Sequence, residues 1–167
     1  AFTGMSVGEK LSQSIFNAVS PRTAGFNSVN LSNFALPTLV FYIILMWIGG
    51  ASQSTAGGIK VNTIGVAFAS FMSVVRGQKS VTMFNREITD HSVKRAYATI
   101  FGSIMAIVFC FVALMILEPK IPPFELFFET ISALGTVGSS LGVTPLLGVT
   151  SKIIVAVMMF VGRVGII

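Results

Sequence analysis

Forty residues from Leu36 to Val75 form one apolar run, broken in its middle by Gly49-Gly50-Ala51-Ser52-Gln53-Ser54-Thr55-Ala56-Gly57-Gly58. A single helix of that length would reach about 60 Å, twice a hydrocarbon core of about 30 Å. Each glycine would also weaken such a helix by about 1 kcal/mol against alanine. The sequence therefore predicts two half-helices, Leu36–Ile48 and Ile59–Val75, joined by irregular chain at membrane depth. Bare backbone facing lipid leaves its polar groups unpaired, so this loop must be packed in protein or line a wet cavity.

The rest of the chain supports lipid as the solvent. Of 167 residues, 53% are hydrophobic and only 10% charged, where a soluble domain averages about 25% charged. The net charge of +5 forms no stripe, which argues against a nucleic-acid surface. Instead Arg76, Lys79, Arg86, Lys94 and Arg95 gather in one connector between apolar runs, the pattern of a cytoplasmic loop. After it, Ala96–Leu117 offers 22 residues without a charge, or about 33 Å of helix, enough to cross. The expected setting is a multi-pass protein of the cell membrane, with this helix running outward and the broken element running inward. The ends lie in or near apolar sequence, with no signal peptide at Ala1 and no cap at Ile167, so a piece of a longer protein is expected. Cys110 is the one cysteine and reads as a small lipid- or core-facing residue. His91 has no second ligand near it in sequence and reads as a solvated loop residue rather than a metal site.

Two further segments, Glu9–Ser20 and Phe124–Leu134, are helix-length but too short to span. Each runs into a small-residue turn: Thr23-Ala24-Gly25-Phe26-Asn27 and Thr136-Val137-Gly138-Ser139-Ser140. A polar stretch and another apolar helix follow in both cases. This is the plan of a re-entrant pore loop; an amphipathic surface helix followed by an ordinary turn is the alternative. An internal repeat favours the pore loop. Laid on residues 136–163, residues 23–50 match Thr23 with Thr136, Gly25 with Gly138, Met46 with Met159 and Gly49 with Gly162, and bring Trp47 onto Phe160. The identities fall at the turn and at the helix end, and repeats in membrane proteins place the site at the axis relating them.

The chemistry fits a monovalent cation. Potassium crosses a membrane where backbone carbonyls replace its water shell, and glycine permits the backbone angles such a turn needs. The second turn reads T-V-G-S-S rather than the T-V-G-Y-G of tetrameric channels, so looser selectivity is expected. No enzyme is indicated: Ile59 separates Gly58 from Lys60, so the glycine-rich loop misses the phosphate-binding pattern G-x-x-x-x-G-K-[ST]. A broken-helix secondary transporter for another small substrate, or a non-conducting structural subunit, remain the alternatives.

In their order and spacing, Arg22–Asn27, Gly49-Gly50 through Ser54-Thr55-Ala56-Gly57-Gly58-Ile59-Lys60, Thr136–Ser139 and Gly162-Arg163-Val164-Gly165 resemble the Trk/Ktr/HKT superfamily of potassium transporters. The connector Arg76-Gly77…Phe84-Asn85-Arg86 is similar to the bacterial Ktr membrane subunit. The resemblance implies an all-α membrane protein of helix–pore-loop–helix repeats, with re-entrant pore helices and a broken lining helix. Residues 1–75 would hold the third pore loop and its broken second helix, 76–95 the cytoplasmic connector, and 96–167 the fourth repeat. It implies K+ translocation, with Na+ possible as a second ion, through a filter of four such turns. Thr23, Ala24, Gly25, Phe26 and Asn27 would supply one quarter, and Thr136, Val137, Gly138, Ser139 and Ser140 another. Gly49, Gly50, Ser54, Thr55, Gly57, Gly58 and Lys60 would belong to an intramembrane gating loop, in which Gln53 departs from the family's usual glycine. Arg163 would stand in the pore as an electrostatic barrier; from its sequence position alone it reads equally as an interfacial anchor. Lys60 either pins the loop by pairing with carbonyls or marks a wet cavity. The implied partners are a second copy in a homodimer, the lipid bilayer and a cytosolic nucleotide-binding regulatory ring.

Overall fold

A computed structural model describes residues 6–22, 24–26, 28–51, 57–77, 80–83 and 86–164. Among the described residues six α-helices carry the fold: α1 (Val7–Val19), α2 (Leu36–Trp47), α3 (Val61–Val75), α4 (Asp90–Leu117), α5 (Pro123–Leu134) and α6 (Val149–Val164). Short 3-10 turns, Leu31–Asn33 and Thr144–Leu146, precede α2 and α6. The connector adds what its sequence did not announce, a small antiparallel ribbon of β1 (Thr82–Met83) and β2 (Arg86–Glu87). It is tied to the end of α3 by the Ser73 hydroxyl, which donates to the Ser80 carbonyl at 3.0 Å.

The long apolar run divides as its glycines predict. Helices α2 and α3 are about 18 and 22 Å long. Ile48 and Ile59 pair as a parallel bridge, and the Gly49 N–H donates to the Ile59 carbonyl at 2.8 Å. Parallel pairing means that the chain leaves the helix axis at Ile48 and re-enters beside that point heading the same way. The backbone groups freed at the break are thus partly satisfied by the break itself, as apolar surroundings demand.

Among the described residues, α4 alone is long and apolar enough to cross a membrane by itself. It begins at Asp90 rather than at Ala96, with Thr89 extended before it and Asp90 in its first turn, where an acidic group suits the helix dipole. His91, expected in a loop, therefore lies exposed on the first turn of α4. Cys110 faces the core and is a free thiol. Around α5 pack α2, α4 and α6, and the core cluster runs from Tyr42, Ile43 and Met46 through Ile107 and Leu114 to Leu126, Phe128, Leu134, Val155 and Met158. The short helix α5 is the axle of the fold. Pro122 and Pro123 start it with fixed φ, and Leu126 and the run Phe128–Leu134 are buried on all sides. A 12-residue helix whose last seven residues are all buried is too short to cross a membrane and too covered to be a surface amphipath.

Candidate functional site

Helices α1 and α5 both end in a glycine turn, and the two turns meet. Gly25 and Gly138 both have positive φ, +67° and +86°, the left-handed region that glycine enters without a Cβ penalty. A Cβ built on Gly138 would sit 4.0 Å from the Gly25 Cα. A Cβ built on Gly25 would overlap the carbonyl oxygen of Val137, which therefore lies against Gly25 in the space between the turns. Thr136 also has a positive φ, +50°, which is uncommon for a β-branched residue and marks strain held at this turn. The chain enters both turns from helix C-termini, α1 ending at Val19 and α5 at Leu134, the ends that carry partial negative charge. Glu9 and Glu125 stand in the first turns, at the opposite ends.

Side chains brace each turn from behind. The Ser20 hydroxyl donates to the Phe26 carbonyl at 2.6 Å, and Asn17 Nδ2 donates to Gln13 O at 2.8 Å and Ser28 Oγ at 3.4 Å. On the other turn Ser139 is buried and shares a hydrogen bond of 3.2 Å with the Tyr42 hydroxyl of α2, whose ring stacks on Phe128. Ser140 is half-buried, and its hydroxyl accepts from the Gly142 N–H at 3.1 Å. Ala24 and Phe26 are exposed. Thr23 and Asn27 lie outside the described residues.

The glycine-rich break sits directly against the second turn. The Gly57 N–H donates to Thr136 Oγ1 at 3.1 Å, and a Cβ on Gly57 would collide with the Thr136 side chain. Gly58, with φ +71°, lies over Gly135, and its N–H donates to the Gly162 carbonyl of α6 at 3.3 Å. Gly49 and Gly162, equated by the repeat, meet the same kind of neighbour: a Cβ on Gly49 would run into the Gly57 carbonyl, and one on Gly162 into the Leu134 carbonyl. Both are places where backbone approaches backbone. Gly50 accepts from the Val61 N–H at 3.3 Å, and Lys60 stands half-buried at the start of α3. Arg163 lies exposed in the last turn of α6, next to the Gly162 carbonyl that holds Gly58. Gln53, Ser54 and Thr55, like Gly165, are outside the described residues. Among the described residues no group of three or more His, Cys, Asp or Glu is placed to hold a metal ion.

Three polar residues of this region make contacts that the sequence does not announce. Glu118, at the end of α4, accepts from the Gly148 N–H and the Ser151 hydroxyl, both at 2.7 Å. The Gly148 bond first, and then that of Ser151, hold its carboxyl below the usual carboxylate value. Tyr42 reaches Ser139 as described. Glu129, in the buried middle of α5, accepts from the Thr144 hydroxyl at 2.5 Å. An ionisable residue in the middle of a short, largely apolar helix is a signal that sequence alone carries.

Two helix–turn–helix units meeting at glycine turns, with a broken helix folded against them, are the plan of a membrane protein built on re-entrant loops. The chain belongs to the TrkH family of cation transport proteins, whose family profile matches residues 1–167. It is 41% identical over 161 residues to the Ktr system potassium uptake protein B of Bacillus subtilis, covering 96% of this chain and 36% of that one. To the potassium/sodium uptake protein NtpJ of Enterococcus hirae it is 37% identical over 164 residues, covering 95% and 36%. The crystal structure of the potassium transporter TrkH from Vibrio parahaemolyticus superposes with a TM-score of 0.83 over 97% of this chain and 36% of that one, at 19% identity, which establishes the shared fold. The chain thus spans about a third of the length of the relatives it matches.

Proposed function

We propose that this chain forms part of a potassium pathway across the cell membrane, contributing two of the turns that strip water from the ion. The observation that carries this reading is the meeting of the Gly25 and Gly138 turns, with the Val137 carbonyl lying between them and each turn following a helix C-terminus. Carbonyl oxygens and dipole ends of that sign favour a cation, and a site without side-chain charges suits a large, weakly hydrated one. Names of relatives that specify potassium, or potassium and sodium, point the same way, with K+ as cargo and Na+ as the second ion. In this reading residues 1–75 and 96–167 are successive repeats, and 76–95 is a connector on the cytosolic side.

The break from Gly49 to Lys60 is the gate. Among the described residues it meets the filter turn through the Gly57 N–H to Thr136 and α6 through the Gly58 N–H to Gly162, so a movement of the loop would be felt at both. Arg163, beside the second contact, supplies a positive charge on the ion's route. The partners are a second copy and, as Ktr systems are named as systems, a regulatory subunit that meets the connector; the nucleotide-binding ring of the family is the form it would take.

The test uses the whole transporter carrying this sequence, purified and reconstituted in liposomes. Gly138→Ser is expected to lower the ratio of K+ to Na+ flux, because a side chain at φ +86° must shift the turn. An unchanged ratio would remove these residues from the filter. Arg163→Ala is expected to raise basal K+ leak; a fall in flux at normal protein yield would contradict the barrier role.

A further inference from the structure

Glu129 is 4% exposed, on a helix whose other residues from Phe128 to Leu134 are buried as well. One carboxyl oxygen accepts from the Thr144 hydroxyl; the other is buried and has no hydrogen-bond partner among the described residues. A carboxyl in such a place is costly to keep, and its desolvation is offset only in part by one hydrogen bond. Thr144 opens the 3-10 turn that returns the chain to α6, between Val143 and Leu147, both buried. The residues that this bond joins stand on either side of the whole 136–140 turn. Glu129 lies on the limb entering it and Thr144 on the limb leaving it. The other unit has no such pair, since the repeat sets Phe16 opposite Glu129 and Leu31 opposite Thr144. That turn is held by Ser20 and by the polar contacts of Asn17, Gln13 and Ser28 instead.

We propose that Glu129 and Thr144 form a clasp that fixes the width of the second filter turn, making Glu129 a positioning residue for ion selectivity. The clasp closes a loop of chain around Val137, Gly138 and Ser139, while Tyr42 holds Ser139 from α2. With the clasp made, that bond ties the buried Glu129 to the half-buried Thr144 across the turn. With it broken, the strained Thr136–Gly138 backbone is free to relax, and the oxygens that face the ion move with it. The contact would then act on selectivity rather than on folding alone. The proposal rests on the filter reading given above.

The test again uses the reconstituted whole transporter, with K+ and Na+ flux and thermal stability measured on each variant. Thr144→Val keeps the shape and removes the hydroxyl; it is expected to lower the K+ to Na+ ratio about tenfold. Thr144→Ser restores the hydroxyl and the ratio. Glu129→Gln keeps an oxygen that can accept from Thr144 and should stay within about twofold of the native ratio. If Thr144→Val gives no folded protein, Thr144→Ala takes its place. An unchanged ratio in the hydroxyl-less variant overturns the clasp. So does an equal fall of both fluxes, which is the mark of a merely structural contact, and so does a Glu129→Gln variant as damaged as Thr144→Val. Gly138→Ser measured in parallel separates the two readings: if it shifts the ratio and Thr144→Val does not, the clasp alone fails; if neither does, the filter assignment fails with it.

Discussion

The two re-entrant units follow one plan with unequal support. From Phe128 to Leu134 every residue of α5 is buried, whereas in α1 only Asn17 is. Along α1, Val7, Leu11, Ile15 and Val19 form an exposed stripe at helical spacing. An apolar stripe of that kind is covered by lipid or by protein beyond the described residues. The turns differ correspondingly. Gly138 has open space in front of its Cβ position, apart from the Gly25 Cα at 4.0 Å, but the Cβ position of Gly25 is filled by the Val137 carbonyl. The well-packed unit therefore presents its oxygen, and the exposed unit gives way with a bare Cα. The lesson is that equivalent glycines in a repeat need not be equally replaceable.

The largest expected effect breaks that comparison directly. Gly25→Ala must adopt a left-handed φ and also push the Val137 carbonyl aside, so K+ flux should fall more than a hundredfold. Gly138→Ala meets only the backbone penalty of about 1–2 kcal/mol and should lose about tenfold. Flux assays on the pair check the order; equal losses would mean that the two turns do not pack as described.

Next comes the glycine pair at the helix ends. Gly162→Ala places a methyl group on the Leu134 carbonyl and should destabilise by about 1–3 kcal/mol, read as a lower Tm in detergent. Because Gly162 also holds Gly58, the same variant should raise protease sensitivity at the break. A Tm unchanged from the native value would show that α6 and the end of α5 are not in backbone contact.

The smallest effect concerns pH. The folded-state pKa of Glu118 is depressed, chiefly by the Gly148 N–H. Its contribution is therefore fully present above the ordinary carboxylate pKa and is lost as pH falls through the folded value. Glu118→Gln should flatten the acid limb of a Tm-against-pH curve and leave neutral pH nearly unchanged. An identical acid limb in both proteins would mean that Glu118 does not hold the head of α6.

Much of this architecture is legible in the sequence because its signals are local. The glycine run ends α2 within a residue of the expected place and starts α3 two residues later than expected. Pro122 and Pro123 announce α5, and the repeat aligns glycines that share one steric need. Helix α4 starts six residues before the expected Ala96, because its first turns carry charged residues that read as connector, although Thr89 and Asp90 suit a helix start. The contacts of Tyr42, Glu118 and Glu129 are not legible for another reason. Their partners Ser139, Ser151 and Thr144 are distant in sequence, so the contacts exist only once the helices have packed. Glu129 itself could have been flagged as an ionisable group in an apolar segment.

The central claim is that backbone oxygens of the two meeting turns hold a dehydrated monovalent cation. Crystals of the whole transporter soaked in thallium test it through anomalous scattering. The account predicts a thallium peak between the 24–26 and 136–139 segments, within coordinating distance of the Val137 carbonyl. A clear structure with thallium bound elsewhere, and none between those turns, would contradict it.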